Sequence, residues 1–207
     1  MKSNQLMNER HLRLVLLGSV IFAISILSGC NDEDPVKPDA PEMITKATLT
    51  FTPDAGTPVV VTATDPDGEG VQDMSVDSPI NLEANKSYTL SISLINALAQ
   101  PSDPAYNVTQ EVEEEGDEHL FFFEWTNNLF ADPAGNGNID SRNDDVNYED
   151  QDANSLPLGL ETFWTTGSPL SGTFRVVLKH QPGLKSETSG SFTGETDLDI
   201  TFEINVM

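Results

Sequence analysis

Cysteine is nearly absent from this sequence, since Cys30 is the only one among 207 residues. A single cysteine cannot form an internal disulfide, so the domain has to be stabilised by its core. The same count excludes the paired-cysteine motifs of redox centres and zinc sites.

Basic residues are also scarce, with 10 Lys and Arg against 34 Asp and Glu and a formal net charge of −24. Three of the basic residues and one acidic residue precede Cys30. From Cys30 onward seven basic residues face 33 acidic ones, a net charge of −26. Such a field repels phosphate groups, which excludes nucleic acids and anionic membrane surfaces as partners. It favours cations, and it keeps an exposed domain soluble.

Long apolar runs are missing except near the start, where Leu14–Leu27 carries no charge. This run of 14 residues is shorter than the roughly 20 that span a membrane as a helix. Basic residues precede it and small residues follow it, an order typical of a secretory signal peptide. We therefore predict a cleaved signal peptide at residues 1–29, and an uncleaved anchor helix is the alternative.

The apolar run ends in Leu27-Ser28-Gly29-Cys30, which matches the lipobox of bacterial lipoproteins. In that motif lipid is attached to the cysteine sulfur and the chain is cut before it. Lipidation of Cys30 also explains a lone cysteine in an exported protein, which would otherwise be an unusual free thiol. We predict membrane anchoring through this lipid, since several acyl chains give stable attachment.

The residues after Cys30 indicate the membrane to which the lipoprotein is delivered. Asn31 does not match the inner-membrane retention signal, and the acidic run Asp32–Asp34 resembles the surface-export signal of lipoproteins in the Bacteroidota. We expect an outer-membrane protein that is exposed at the cell surface, with the periplasmic face as the alternative. Prolines at every third position then predict an extended tether over residues 30–43.

Residues 44–207 alternate between apolar and polar side chains in short segments separated by turn residues, which predicts strands. Seven or eight such strands favour an all-β fold, an Ig-like antiparallel β-sandwich. The predicted strands are 48–52, 59–64, 80–82, 88–94, 119–125, 162–166, 172–180 and 197–206. The segment 119–125 contains three consecutive phenylalanines, which predicts a strand that is buried on both faces.

One long segment, residues 131–155, is rich in Asp, Asn and Gly and has no apolar periodicity. A structureless connection of this length is uncommon in a folded domain. We therefore expect either a flexible surface loop or a loop that a bound ion orders.

The sharpest candidate ion site lies at the end of this acidic loop. Asp150, Asp152, Asn154 and Glu161 occupy positions one, three, five and twelve of an EF-hand-like spacing. Ca²⁺ takes six to eight oxygen ligands, and this spacing can wrap them around the ion. Ser155 replaces the usual glycine, and no helices are predicted on either side. A solvated acidic loop is the alternative interpretation.

A second candidate combines histidine and carboxylates. Asp117, Glu118 and His119 stand just before the aromatic strand, and His180 ends the predicted strand 172–180. Imidazole and carboxylate groups bind divalent transition metals such as Zn²⁺. This site requires the two histidines to meet at one end of the sandwich. The alternative is a solvated acidic turn and a histidine that caps the core.

Motifs of catalysis are lacking. No serine stands in a nucleophile elbow, and no glycine-rich phosphate loop is present. A pair of carboxylates would arise by chance among so many acids, so it does not indicate glycoside hydrolysis. We predict that the protein is not an enzyme.

Several segments together resemble a group of Bacteroidota outer-membrane lipoproteins found beside TonB-dependent receptors. These segments are Ile80-x-Leu82, Ser87–Leu90, Asp117–Phe123, Leu156–Leu160, Leu178–Pro182 and Gly194–Asp197. The resemblance implies a lipid-anchored accessory protein with a TonB-dependent receptor as partner, acting in nutrient or metal capture. The competing hypothesis is a structural or adhesive Ig-like module that binds another protein or a glycan.

Overall fold

The structure, a computed structural model, describes residues 42–68 and 74–207. The predicted signal peptide, Cys30 and the tether up to residue 41 lie outside the described residues.

The described part of the chain contains eleven strands and one α-helix. They are β1 (Lys46–Pro53), β2 (Val59–Thr64), β3 (Ser75–Val76), β4 (Ile80–Leu82), β5 (Ser87–Ile95), α1 (Val108–Glu114), β6 (His119–Trp125), β7 (Phe130–Asp132), β8 (Asn147–Tyr148), β9 (Glu161–Thr166), β10 (Leu170–His180) and β11 (Glu195–Val206). A 3₁₀ turn, Pro104–Tyr106, precedes α1. Each of the eight predicted strands corresponds to one of these, and the additional β3, β7 and β8 have only two or three residues.

The strands form two sheets, which confirms the predicted all-β sandwich. The larger sheet has the order β3-β2-β1-β5-β9-β7 with β8 also beside β9, and the smaller has the order β4-β11-β10-β6. Strand pairs are antiparallel except β4 with β11, which run parallel. The purely antiparallel pairing that we predicted therefore needs this correction at the edge of the smaller sheet.

The core lies between the two sheets and is made of the alternating residues that the sequence pattern indicated. Leu49, Phe51, Phe174 and Leu178 are all fully buried. Aromatic rings fill its centre around Trp164, which makes edge-to-face contacts with Phe123, Trp125 and Phe174. This apolar packing stabilises the sandwich without a disulfide.

Strand β6 is buried on both faces, as predicted from its three phenylalanines. Phe121 and Phe123 belong to the main core, whereas Leu120, Phe122 and Val177 form a second small cluster on the other face of the sheet. Ile139 and Tyr148 pack against that cluster. The long acidic segment thus covers the outer face of β6.

The same segment also forms hydrogen bonds with the edge of β6, so it is not the flexible surface loop of the first alternative. The amide of Asn138 donates to the Phe123 carbonyl at 2.9 Å, and the Asn138 side chain accepts from the Phe123 amide at 3.1 Å. At Gly137 φ is +95°, and a Cβ there would overlap the Phe123 carbonyl. Backbone pairing and side-chain contacts therefore order this segment.

Helix α1 was not predicted, although the sequence contains its signals. The Asn107 side chain accepts a hydrogen bond from the Gln110 amide and caps the helix, while Val108 and Val112 bury one face. The helix is only seven residues long, which is near the limit of what periodicity detects. Within the described ranges, no helix has the length and apolar character required to cross a membrane.

Tyr148 links the acidic segment to β6, so its hydroxyl should contribute to stability. The hydroxyl donates to the Phe121 carbonyl at 2.6 Å and accepts from the Asn138 side chain at 2.8 Å. We predict that Tyr148→Phe lowers the free energy of unfolding by about 1–3 kcal/mol, because it leaves buried polar groups without a partner. Urea unfolding followed by tryptophan fluorescence measures the change.

Tyr106→Phe is the matched control, because the Tyr106 hydroxyl makes no hydrogen bond to the described residues. We expect it to change the free energy of unfolding by less than about 0.5 kcal/mol. Equal effects of the two substitutions would contradict the role assigned to Tyr148.

Candidate metal centre

Two histidines lie side by side at one end of the smaller sheet. His119 is the first residue of β6, His180 is the last residue of β10, and the two are directly paired across the ladder. Opposed residues of paired strands project their side chains to the same face. The rings are stacked, with centroids 4.6 Å apart and planes 4° from parallel. The convergence that the predicted metal site requires is therefore present.

Glu115 is the third member of this group. It caps the C-terminal end of α1, and Nδ1 of His119 lies 3.0 Å from its carbonyl oxygen. One potential ligand atom from each of Glu115, His119 and His180 lies within 4.8 Å of the other two. Sequence reasoning did not place Glu115 in this group, because the helix end that positions it was not recognised.

Glu118 joins the group and Asp117 does not. Oε2 of Glu118 lies 3.3 Å from Nε2 of His180, whereas Asp117 is exposed to solvent. Of the four residues predicted for this site, the structure thus brings together His119, His180 and Glu118.

A buried carboxylate completes the surroundings of His119. Oδ2 of Asp197 lies 3.6 Å from Nε2 of His119, and both side chains are 0% exposed. The other oxygen, Oδ1, accepts a hydrogen bond from the backbone amide of Glu42 at 3.2 Å. Burial, which penalises the charged form, raises the pKa of Asp197 to about 6. We call Glu115, Glu118, His119, His180 and Asp197 the histidine cluster.

Strict alternation with the apolar residues of β11 would turn Asp197 towards solvent, and a β-bulge reverses its orientation. Leu178 pairs with Leu198, but the next residue, Lys179, pairs with Thr196, so Asp197 is the extra residue of β11. A bulge of this kind redirects one side chain relative to the alternation of the strand. As a result, both Asp197 and Leu198 are buried.

The composition of the histidine cluster fits a divalent transition metal. Imidazole nitrogens with one or two carboxylates are typical ligands of Zn²⁺, whereas Ca²⁺ and Mg²⁺ prefer sets of oxygen atoms. A tetrahedral zinc ion with bonds of about 2.1 Å holds its ligand atoms about 3.4 Å apart. The ligand atoms of Glu115, His119 and His180 lie within 4.8 Å of one another, so small side-chain movements would bring them to that spacing.

The predicted calcium residues have other partners. The Asp150 carboxylate accepts hydrogen bonds from the amides of Gly159 and Glu161 at 2.7 and 3.1 Å. Asn154 and the side chain of Glu161 are exposed. Across residues 42–68 and 74–207, Asp150, Asp152 and Glu161 do not form a group of converging ligand atoms. The acidic spacing instead stabilises the turn that precedes β9.

Asp152 pairs with a lysine inside the protein. Its Oδ1 accepts from the amides of Asn154 and Leu156, and its Oδ2 lies 2.9 Å from Nζ of Lys185, with both side chains 1% exposed. Nζ of Lys185 also donates to the Gly116 carbonyl at 2.7 Å. An ammonium group therefore stands at the carboxylate where the calcium hypothesis placed a metal ion. These contacts correct that hypothesis in favour of a structural role.

No family model matches the sequence, and neither a curated protein nor a solved structure is similar to it. The fold and the site define the class of protein: an all-β sandwich with a buried histidine and carboxylate cluster at one end.

The buried Asp152–Lys185 pair should be strongly stabilising relative to either partner alone. We predict that Lys185→Ala lowers the free energy of unfolding by about 3–5 kcal/mol, because it leaves the Asp152 carboxylate buried without its cation. Urea unfolding at neutral pH measures this loss.

The matched control is Lys86→Ala, which breaks the exposed pair with Glu83, whose side chain is 73% accessible. An exposed pair contributes far less to stability than a buried one, because water and salt screen its charges. A loss for Lys185→Ala no greater than that for Lys86→Ala would contradict the assigned role of the buried pair.

Proposed function

We propose that this protein is a lipid-anchored binding module that holds a divalent transition-metal ion between His119 and His180. The observation that carries the proposal is the in-register pairing of two buried histidines with Glu115 within 4.8 Å. Neither histidine is required to fill the core, because aliphatic and aromatic side chains pack it. A divalent metal ion can bind one atom from each of these three side chains at once.

Electrostatics support a cationic ligand. The chain from Cys30 onward has a net charge of −26, which raises the local concentration of cations around the domain. The neighbouring carboxylates Glu115 and Glu118 add negative charge at the site itself. The net negative charge attracts all divalent cations alike. The imidazole ligands then favour transition metals over Ca²⁺ and Mg²⁺.

The proposed setting is the outer membrane, with the domain exposed at the cell surface and serving a TonB-dependent receptor. The lipobox at Cys30 and the acidic residues after it support the anchor and the destination. The segment that follows Cys30 enters the described fold at Glu42, whose amide contacts Asp197 of the histidine cluster. In this proposal the module captures the metal ion near the membrane and passes it to the importer.

Isothermal titration calorimetry of the purified mature protein with ZnCl₂ tests the metal site. We expect one strong site in the wild type and an affinity lowered by more than about 100-fold for His180→Ala and for Glu115→Gln, because each loses one ligand. Glu115 is only half-buried, so its substitution leaves the core intact. Asp117→Asn is the matched control and should bind as the wild type does, because Asp117 is exposed beside the site. A wild type without heat of binding would refute the proposal.

Metabolic labelling with radioactive palmitate tests the anchor. We predict that the full-length wild type, produced in a Gram-negative host, is labelled and that Cys30→Ser is not, because Cys30 is the only cysteine that could carry lipid. The mass of the mature wild type should also correspond to a chain that begins at Cys30. Labelling of Cys30→Ser, or a mature chain with another start, would contradict lipidation at this residue.

A further inference from the structure

The two ring nitrogens of His119 have different neighbours, and this difference assigns their roles. Nδ1 lies 3.0 Å from the carbonyl oxygen of Glu115. A carbonyl oxygen can only accept a hydrogen bond, so Nδ1 is the nitrogen that carries the proton in this contact. In a neutral imidazole the other nitrogen, Nε2, then presents a lone pair. The lone pair is what a metal ion binds.

Nε2 of His119 faces the carboxylate of Asp197 inside the protein. Oδ2 of Asp197 lies 3.6 Å from it, and neither side chain is exposed. The amide of Glu42 holds Oδ1 of the same carboxylate, which leaves Oδ2 directed at the ring. Oδ2 is buried and accepts no hydrogen bond from the described residues. A buried carboxylate oxygen without a hydrogen bond favours a cation beside it.

The separation of these two atoms suits a shared metal ion better than a hydrogen bond. Hydrogen bonds between nitrogen and oxygen span about 2.7–3.2 Å. Two ligands of one tetrahedral zinc ion stand about 3.4 Å apart, which is close to the 3.6 Å measured here. Lys179 also carries a positive charge in this region. Its ammonium donates to the hydroxyl of Thr196 at 2.7 Å and not to Oδ2 of Asp197.

We propose that Oδ2 of Asp197 and Nε2 of His119 are ligands of the same divalent transition-metal ion, with Glu115 and His180 completing the set. This inference rests on the proposed function and adds a ligand that arises from the bulge in β11. The site then offers two imidazole nitrogens and two carboxylates. Such a mixed set suits Zn²⁺ and other divalent ions of intermediate softness.

Imidazole nitrogen NMR of the ¹⁵N-labelled mature protein tests the assignment directly. Long-range proton–nitrogen spectra are recorded before and after addition of one equivalent of ZnCl₂. We expect metal-free His119 to carry its proton on Nδ1 and expect zinc to shift the resonance of Nε2. A shift of Nδ1, with Nε2 protonated, would overturn the proposal, since Asp197 would then only orient the ring.

Zinc calorimetry of Asp197→Asn provides the second test. A partner that only orients a ligand typically changes metal affinity 10–100-fold, so a lost ligand should lower it by more than about 100-fold. Asp199→Asn is the matched control, because it removes the same charge from the same strand at a side chain that pairs with Arg175. We expect Asp199→Asn to bind zinc as the wild type does.

The outcomes separate this inference from the proposed function. If Asp197→Asn keeps wild-type affinity while Glu115→Gln loses it, Asp197 is not a ligand and the metal site remains. If the wild type does not bind zinc, both proposals fail.

Discussion

Strands β6 and β10 pair with Trp125 opposite Phe174 at one end and His119 opposite His180 at the other. Because side chains alternate between the two faces of a strand, a shift by one residue would exchange the faces of the whole strand. The observed register turns Phe121, Phe123 and Trp125 into the core, and His119 continues the same inner face. The aromatic core and the candidate metal centre are thus consequences of one pairing.

This pairing depends on protection of β6, which is the edge strand of its sheet. Exposed edges are prone to pair with other chains, and proteins commonly cover them. Here residues 136–138 bond to the backbone of β6, while Ile139 and Tyr148 cover Leu120 and Phe122. Farther along the chain, Asp152 and Lys185 connect the end of the acidic segment to the β10–β11 connection. The acidic segment is therefore part of the architecture that holds His119 in position.

The strands could be predicted because alternation is a local property of the sequence, and both faces of β6 followed from its three phenylalanines. The role of residues 131–155 could not, because polar side chains such as Asn138 act there through pairing with a distant strand. Spacing alone indicated calcium at Asp150 and Asp152, and it could not show that backbone amides and Lys185 bind these carboxylates.

The candidate site, too, could be predicted from the sequence only in part. His119 and His180 were recognisable from residue type and strand position, but their contact depends on a register that the sequence does not display. Strict alternation would assign Asp197 to the wrong face, because a bulge breaks the alternation next to Leu178. Nothing in a strictly alternating segment marks the position of such a bulge. Glu115 depends in turn on a short helix that local periodicity did not reveal.

We propose that His119 and His180 bind one metal ion at the end of the sandwich. A crystal structure of the mature protein with zinc, recorded at wavelengths on both sides of the zinc absorption edge, tests it most directly. We expect one strong anomalous peak within about 2.0–2.1 Å of a ring nitrogen of both His119 and His180. A peak at Asp150 and Glu161 instead, or none near the histidines, would contradict it.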